Sequence, residues 1–147
     1  MRYDSLVRVV LDTSVLVAAL RSPMGASALL VDSVLSGCMK PLVSVPLVLE
    51  NEAVLTRPEH LQASGFTELE AVKIVKAFCK MGEPVHLSHR LRPQLPDPND
   101  AFVLETAFYG KALAIVTFNY KDFKIAAMKF GIQAIPPKEA WEKVRII

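Results

Sequence analysis

Acidic side chains carry the clearest chemical signal in this sequence. Asp12 directly follows the apolar, β-branched run Leu6 to Leu11. A carboxylate at the end of a buried strand projects into the crevice above a sheet, although the position also suits a helix N-cap. Asp100 heads the stripe Asp100, Val103, Leu104, Ala107, one face of a helix that has to pack on the sheet. Within Asp97-Pro98-Asn99-Asp100, Asp97 fits the N-cap, Pro98 fits N1 and Asp100 fits N3, which is also ordinary helix-start chemistry. Glu50 sits between Leu47 and Val54, and Glu52 between Val48 and Leu55, so periodicity does not choose between them. Asn119 and Asp122 follow the apolar run Leu113 to Thr117 in a strand-to-helix turn at the same crevice.

Carboxylates converging from separate segments repel one another, and a hard divalent cation removes that penalty. Oxygen donors without Cys or His favour Mg²⁺ or Mn²⁺ over zinc. Such a cluster suits phosphoryl transfer, because the cation neutralises phosphate oxygens and activates a water. Other phosphate chemistries fit poorly. There is no Gly-x-x-x-x-Gly-Lys loop and no Gly-x-Ser-x-Gly elbow. A haloacid-dehalogenase-like phosphatase needs an acid two residues after the first, where Ser14 stands. A response-regulator receiver needs a phospho-acceptor Asp after a central strand, and the short strand here ends at Ser44. Cys38 and Cys79 have no partner at metal-ligand spacing and read as free thiols partly buried in helices. His86 and His89 fall in a strand and loop, where their spacing does not make a zinc site.

Alternating elements must position these acids. After the first strand come helices over Thr13 to Leu20 and Ala26 to Leu35, the second ended by Gly37. Pro41 to Ser44 is a short strand, and Ser44 caps a helix from Pro46 to Leu55. Thr67-x-x-Glu70 is a capping box opening a helix to about Lys80. Pro84 to Leu87 reads as a strand and Arg90 to Pro96 as loop. The Asp97 segment opens an apolar helix reaching Phe108, stopped by Gly110. A strand over Leu113 to Thr117, a helix over Lys121 to Phe130 ended by Gly131, a strand over Ile132 to Ile135 and a helix from Pro137 complete the chain. Strands joined by helices imply parallel pairing and a three-layer α/β/α domain. Its ligand site belongs at the carboxyl ends of the strands.

Composition agrees. The 147 residues suffice for one domain with a real core, and a hydrophobic share of 52% suits a sheet buried on both faces. No apolar run approaches the length of a membrane span and no signal peptide is visible, so a cytoplasmic protein is expected. A net charge of +2 permits a nucleic-acid partner without requiring one.

Four segments together resemble the PIN-domain family, especially toxins of the VapC type. They are Val9-Val-Leu-Asp12-Thr-Ser-Val-Leu-Val-Ala-Ala-Leu20, Leu49-Glu50-Asn-Glu-Ala-Val-Leu-Thr-Arg57-Pro58, Asp97-Pro-Asn-Asp100-Ala-Phe-Val-Leu-Glu-Thr-Ala107 and Thr117-x-Asn119-x-x-Asp122-Phe123. The resemblance implies one PIN-like domain over residues 1–147, with a central parallel sheet of four to five strands. It implies an endoribonuclease using Mg²⁺ or Mn²⁺ held by Asp12, Glu50 and Asp100, and so selects Glu50 over Glu52. Thr13, Ser14 and Thr117 match positions that order the first acid. A small antitoxin protein and a homodimer are implied as partners. In one departure, Asn119 stands where the family usually has a fourth acid, and Asp122 is a substitute three residues on. Arg21, Arg57 and Lys121 are candidate contacts for the RNA backbone. The rival readings are a degenerate PIN domain that binds RNA or a protein without cutting, and an α/β binding module.

Overall fold

The computed structural model describes residues 8–89, 95 and 100–144. Three strands, β1 (Val9–Leu11), β4 (Ala114–Val116) and β5 (Gln133–Ile135), form a parallel sheet in the order β1-β4-β5. Val9 pairs with Ala114 and Ala114 with Gln133, and the register runs on to Leu11, Val116 and Ile135. Two shorter strands, β2 (Leu42–Val43) and β3 (Glu83–Pro84), form a separate parallel pair, with β2 lying beside β1. The expected sheet of four to five strands is therefore split into groups of three and two among the described residues. The expected strand over Pro84 to Leu87 shrinks to Glu83–Pro84, where a proline can accept but not donate ladder bonds.

Side-chain alternation divides the core in two. Val9, Leu11, Ala114, Val116 and Ile135 face one layer of helices, while Val10, Ile115 and Ala134 face the other. The first layer contains α1 (Thr13–Arg21), α2 (Ala26–Leu35), α5 (Glu68–Met81) and α8 (Pro137–Val144). Leu16, Leu30, Val75 and Phe78 are buried there. The second contains α6 (Ala101–Tyr109) and α7 (Tyr120–Met128), through Val103, Leu104, Phe123 and Ala127. Leu47, on α3 (Val45–Leu55), joins this second cluster. Each fully buried Leu or Phe contributes about 1.5–3 kcal/mol by leaving water. This is the expected α/β/α arrangement.

One helix was not foreseen: α4 (Pro58–Ser64), with proline at its start and Gly65 at φ +80 as its left-handed stop. The capping box on α5 forms as expected, with Thr67 and Glu70 bonding each other's backbone N–H. Ser44 holds the cap position of α3, but its hydroxyl bonds Thr106 Oγ1 at 2.7 Å instead of capping. Cys38 is exposed just beyond α2 and not in a helix, whereas Cys79 is half-buried in α5. His86 and His89 are both exposed and lie outside any strand. The predicted cap Asp97 and, apart from Leu95, the predicted loop over Arg90 to Pro96 lie outside the described residues. Among the described residues, no single helix is long and apolar enough to cross a membrane.

Candidate functional site

The sheet continues one residue past the ends of β1 and β4. Asp12 N–H donates to the Val116 carbonyl and Thr117 N–H to the Ile135 carbonyl, each at 2.9 Å. Asp12 and Thr117 thus stand side by side at the carboxyl ends of adjacent parallel strands. Thr117 Oγ1 donates to Asp12 Oδ2 at 2.8 Å, and Ser14 Oγ donates to the same oxygen at 2.8 Å. Asp12 occupies the N-cap position of α1, yet its side chain makes no capping bond. The two hydroxyls hold it instead, and bonds to an ionised acceptor are worth more than neutral ones. Asp12 is 4% exposed and Asp100 9%, so both acids are nearly withdrawn from water.

An open pocket of about 320 Å³ lies at this edge. Asp12, Glu50 and Asp100 all line it, from β1, α3 and the start of α6, and Asn119 lines it too. Glu52 does not, so the geometry also separates the two glutamates. The buried stripe of α3 is Leu47, Asn51, Val54 and Leu55. Glu50 flanks that stripe on the pocket side. A second, mainly apolar cavity lies at the other ends of the strands, around Val9, Ala114 and Gln133, and no described acid lines it.

Of the basic residues proposed from sequence, only Arg57 reaches the pocket. Arg21 ends α1, about 12 Å along the helix axis from Thr13. It is exposed and does not line the pocket, and neither does the exposed Lys121. Asp122 is likewise exposed and outside the pocket: its N–H closes the turn on the Asn119 carbonyl at 2.9 Å, in the first turn of α7. As a substitute acid it is therefore misplaced. Asp100 precedes α6 at its cap position, not at N3.

The supporting residues also divide. Ser14 and Thr117 bond the first acid, but Thr13 does not. Its hydroxyl donates to Asn51 Oδ1 at 2.6 Å, a buried tie between α1 and α3 beside Glu50. Asn119 N–H donates to Thr117 Oγ1 at 2.9 Å, so the turn carrying Asn119 is anchored on the hydroxyl that holds Asp12. Asn51 and His60 were missed by sequence reasoning. Asn51 completes an i, i+4, i+7, i+8 apolar stripe with Leu47, Val54 and Leu55, which was a readable signal. His60 lines the pocket from α4, three residues after Arg57, and the proline at the start of that helix was its signal.

The acids that line the pocket offer only oxygen donors, which suits a hard divalent cation. As placed, no three of the described His, Cys, Asp or Glu side chains converge closely enough to hold an ion. The arrangement places two buried carboxylates, Asp12 and Asp100, in one opening with Glu50, the Arg57 guanidinium and the Asn119 amide. That is a setting for handling a phosphate.

No curated relative matches the chain. A family model described as the PIN domain matches residues 8–121, most of the sequence, with Asp12, Glu50, Asp100 and Asn119 of the pocket among them. The strand order, the helices on both faces and the acidic pocket at the strand ends fit that match, and the chain belongs to the PIN-domain family.

Proposed function

We propose that this chain is an endoribonuclease that hydrolyses RNA phosphodiester bonds with Mg²⁺ or Mn²⁺, and that it is the toxin of a toxin–antitoxin pair. PIN domains are in general metal-dependent nucleases. The observation carrying the proposal is the shared pocket of Asp12, Glu50 and Asp100 at the carboxyl ends of the strands. These three would hold the cation through oxygen. When bound, it supplies a water of lowered pKa and charge for the phosphate oxygens. Ser14 and Thr117 both bond Oδ2 of Asp12, leaving Oδ1 without a partner among the described residues. They fix the carboxylate's orientation before any ligand arrives, which limits reorganisation in the reaction. Arg57 offers a cation to the RNA backbone, and Asn119 can orient a water by its amide.

The toxin role, with an antitoxin protein and a homodimer as partners and the cytoplasm as location, rests on the resemblance of the four segments to VapC-type proteins. Asn119 supports a second reading, a PIN domain that binds without cutting, because an amide brings no charge to the fourth corner.

The test is cleavage of single-stranded RNA with Mg²⁺ or Mn²⁺ by wild type beside Asp12→Asn. Cleavage lost in Asp12→Asn supports the enzyme. Equal cleavage by both proteins overturns it. No cleavage by wild type, with RNA still bound, selects the second reading.

A further inference from the structure

We infer that His60 is a substrate-positioning residue, which donates a hydrogen bond from Nε2–H to a phosphate oxygen of the bound RNA strand. The inference rests on the nuclease reading of the same pocket. His60 lines that pocket together with the three acids, Arg57 and Asn119. Its Nδ1 is enclosed and has no hydrogen-bond partner among the described residues. An N–H placed there would be a buried donor without an acceptor, a rarer arrangement in folded proteins than an unmet acceptor. In the neutral ring the proton therefore belongs on Nε2. Nε2 is not enclosed in the same way, so it is the nitrogen a ligand can meet. The ring thus presents a donor to a pocket whose acids present only acceptors.

Placement on α4 favours a phosphate as the acceptor. His60 N–H donates to the Arg57 carbonyl at 3.0 Å, which sets the two residues one tight turn apart. Both side chains line the opening. A guanidinium and a ring N–H donor lining one pocket suit the oxygens of a phosphodiester. The three acids would be taken up by the cation, which leaves His60 and Arg57 to meet the phosphate oxygens of the strand. His60 then moves no proton and holds no metal.

The test compares wild type, His60→Ala, His60→Gln and Arg57→Gln. The Gln side-chain amide carries a donor where Nε2–H stood. For Mn²⁺-dependent cleavage of single-stranded RNA, His60→Ala is expected to raise KM about fivefold with kcat nearly unchanged, the mark of lost ground-state binding. His60→Gln is expected to restore KM to within about twofold. RNA affinity measured by fluorescence anisotropy in the Asp12→Asn background should show the same ranking without turnover. The salt dependence of that affinity should change less with either His60 variant than with Arg57→Gln, which removes a permanent cation. Arg57→Gln should lower the slope by about 0.7, the share of one phosphate contact on a single strand. Mn²⁺ affinity by calorimetry should be equal in wild type and the His60 variants. Should His60→Ala fail to fold, His60→Gln against wild type still decides, because weak binding by folded His60→Gln contradicts a donor role. The inference is overturned if His60→Ala binds RNA as wild type does, if His60→Gln is no better than His60→Ala, or if Mn²⁺ binding falls with His60. If wild type binds no RNA at all, the nuclease reading falls and takes this inference with it. If wild type binds and cuts while the His60 variants match it, only the inference falls.

Discussion

Thr117 Oγ1 donates to Asp12 Oδ2 at 2.8 Å and accepts from Asn119 N–H at 2.9 Å, so one hydroxyl joins the first acid to the turn carrying the fourth corner. The bond is fully buried on the threonine side, where Thr117 is 0% exposed. Thr117→Val keeps the shape and removes both interactions. It leaves a carboxylate short of a donor and a backbone N–H short of an acceptor. A stability loss of about 2–3 kcal/mol is expected, read from urea unfolding. Thr117→Ser keeps the hydroxyl and should cost far less. Ser14→Ala, at a half-buried site on the same oxygen, should cost about 1 kcal/mol, and the double variant should depart from additivity because both donors share Asp12. Additive costs would show that the two hydroxyls do not act on one group.

The buried tie between Thr13 and Asn51 yields a prediction of opposite character. Thr13 Oγ1 donates to Asn51 Oδ1 at 2.6 Å, but Asn51 Nδ2 is buried with no partner among the described residues. Thr13→Val removes the bond and leaves the whole amide unsatisfied, at about 1–3 kcal/mol. Asn51→Leu discards the stranded Nδ2 as well and continues the apolar stripe of α3. The double variant Thr13→Val with Asn51→Leu should therefore be more stable than Thr13→Val alone, by roughly 1 kcal/mol or more. Thermal unfolding of the three variants checks this. A double variant less stable than Thr13→Val would show that the tie itself, and not its incomplete satisfaction, governs the contact between α1 and α3.

These two pairs also show what the sequence made legible. Asp12 was placed because an apolar run must end at a sheet edge, and its ladder bond to Val116 bears that out. Asp100 was placed by the stripe it heads, and α6 buries Val103, Leu104 and Ala107 of that stripe. The three layers followed from alternation of strands and helices. Glu50 was different. Local periodicity sees only the faces of α3, while the pocket is assembled from three elements distant in sequence. The choice over Glu52 needed either a family resemblance or the fold. Arg21, Lys121 and Asp122 do not line the pocket, for one physical reason. Nearness in sequence to the crevice does not fix direction, and each sits on a helix turn that faces solvent. Thr13 was assigned to the first acid by the family resemblance, but a residue at the start of α1 has another helix within reach.

A pH effect is expected at the capping box. Hydrogen bonds from Thr67, first from its backbone N–H and then from its side chain, hold the Glu70 carboxyl below its ordinary value of 4.5. The ionised form is thus favoured by folding. Its contribution is fully present above the ordinary value and is lost as pH falls through the lowered value of the folded protein. Glu70→Gln retains a side-chain acceptor for Thr67 N–H but does not titrate. Urea midpoints of wild type and Glu70→Gln should therefore converge, or cross, as pH drops below 4.5. Separately, Thr67→Ala removes the oxygen that accepts Glu70 N–H and should cost about 1 kcal/mol at neutral pH. A difference between wild type and Glu70→Gln that is flat from pH 7 to 3 would rule out a charge effect at this cap.

Asn119→Asp is expected to make the pocket draw in a cation more strongly. Asn119 lines the pocket beside Asp12, Glu50 and Asp100, and it occupies the N-cap position of α7. Asn119→Asp adds a negative charge there with no change in size. Aspartate is as good an N-cap as asparagine and favours a helix N-terminus, so the fold should tolerate it. Without divalent ions, repulsion among four acids should leave stability equal to or below that of wild type. With Mn²⁺ the sign reverses. Affinity by calorimetry should rise about tenfold, corresponding to roughly 1.4 kcal/mol, a modest figure because Asn119 is exposed and its field is screened. Saturating Mn²⁺ should then raise the melting temperature of Asn119→Asp more than that of wild type, as ligand linkage requires. If Asn119→Asp binds Mn²⁺ no better than wild type, Asn119 lies outside the reach of the cation, and its role in this protein is confined to shaping the turn that Thr117 anchors.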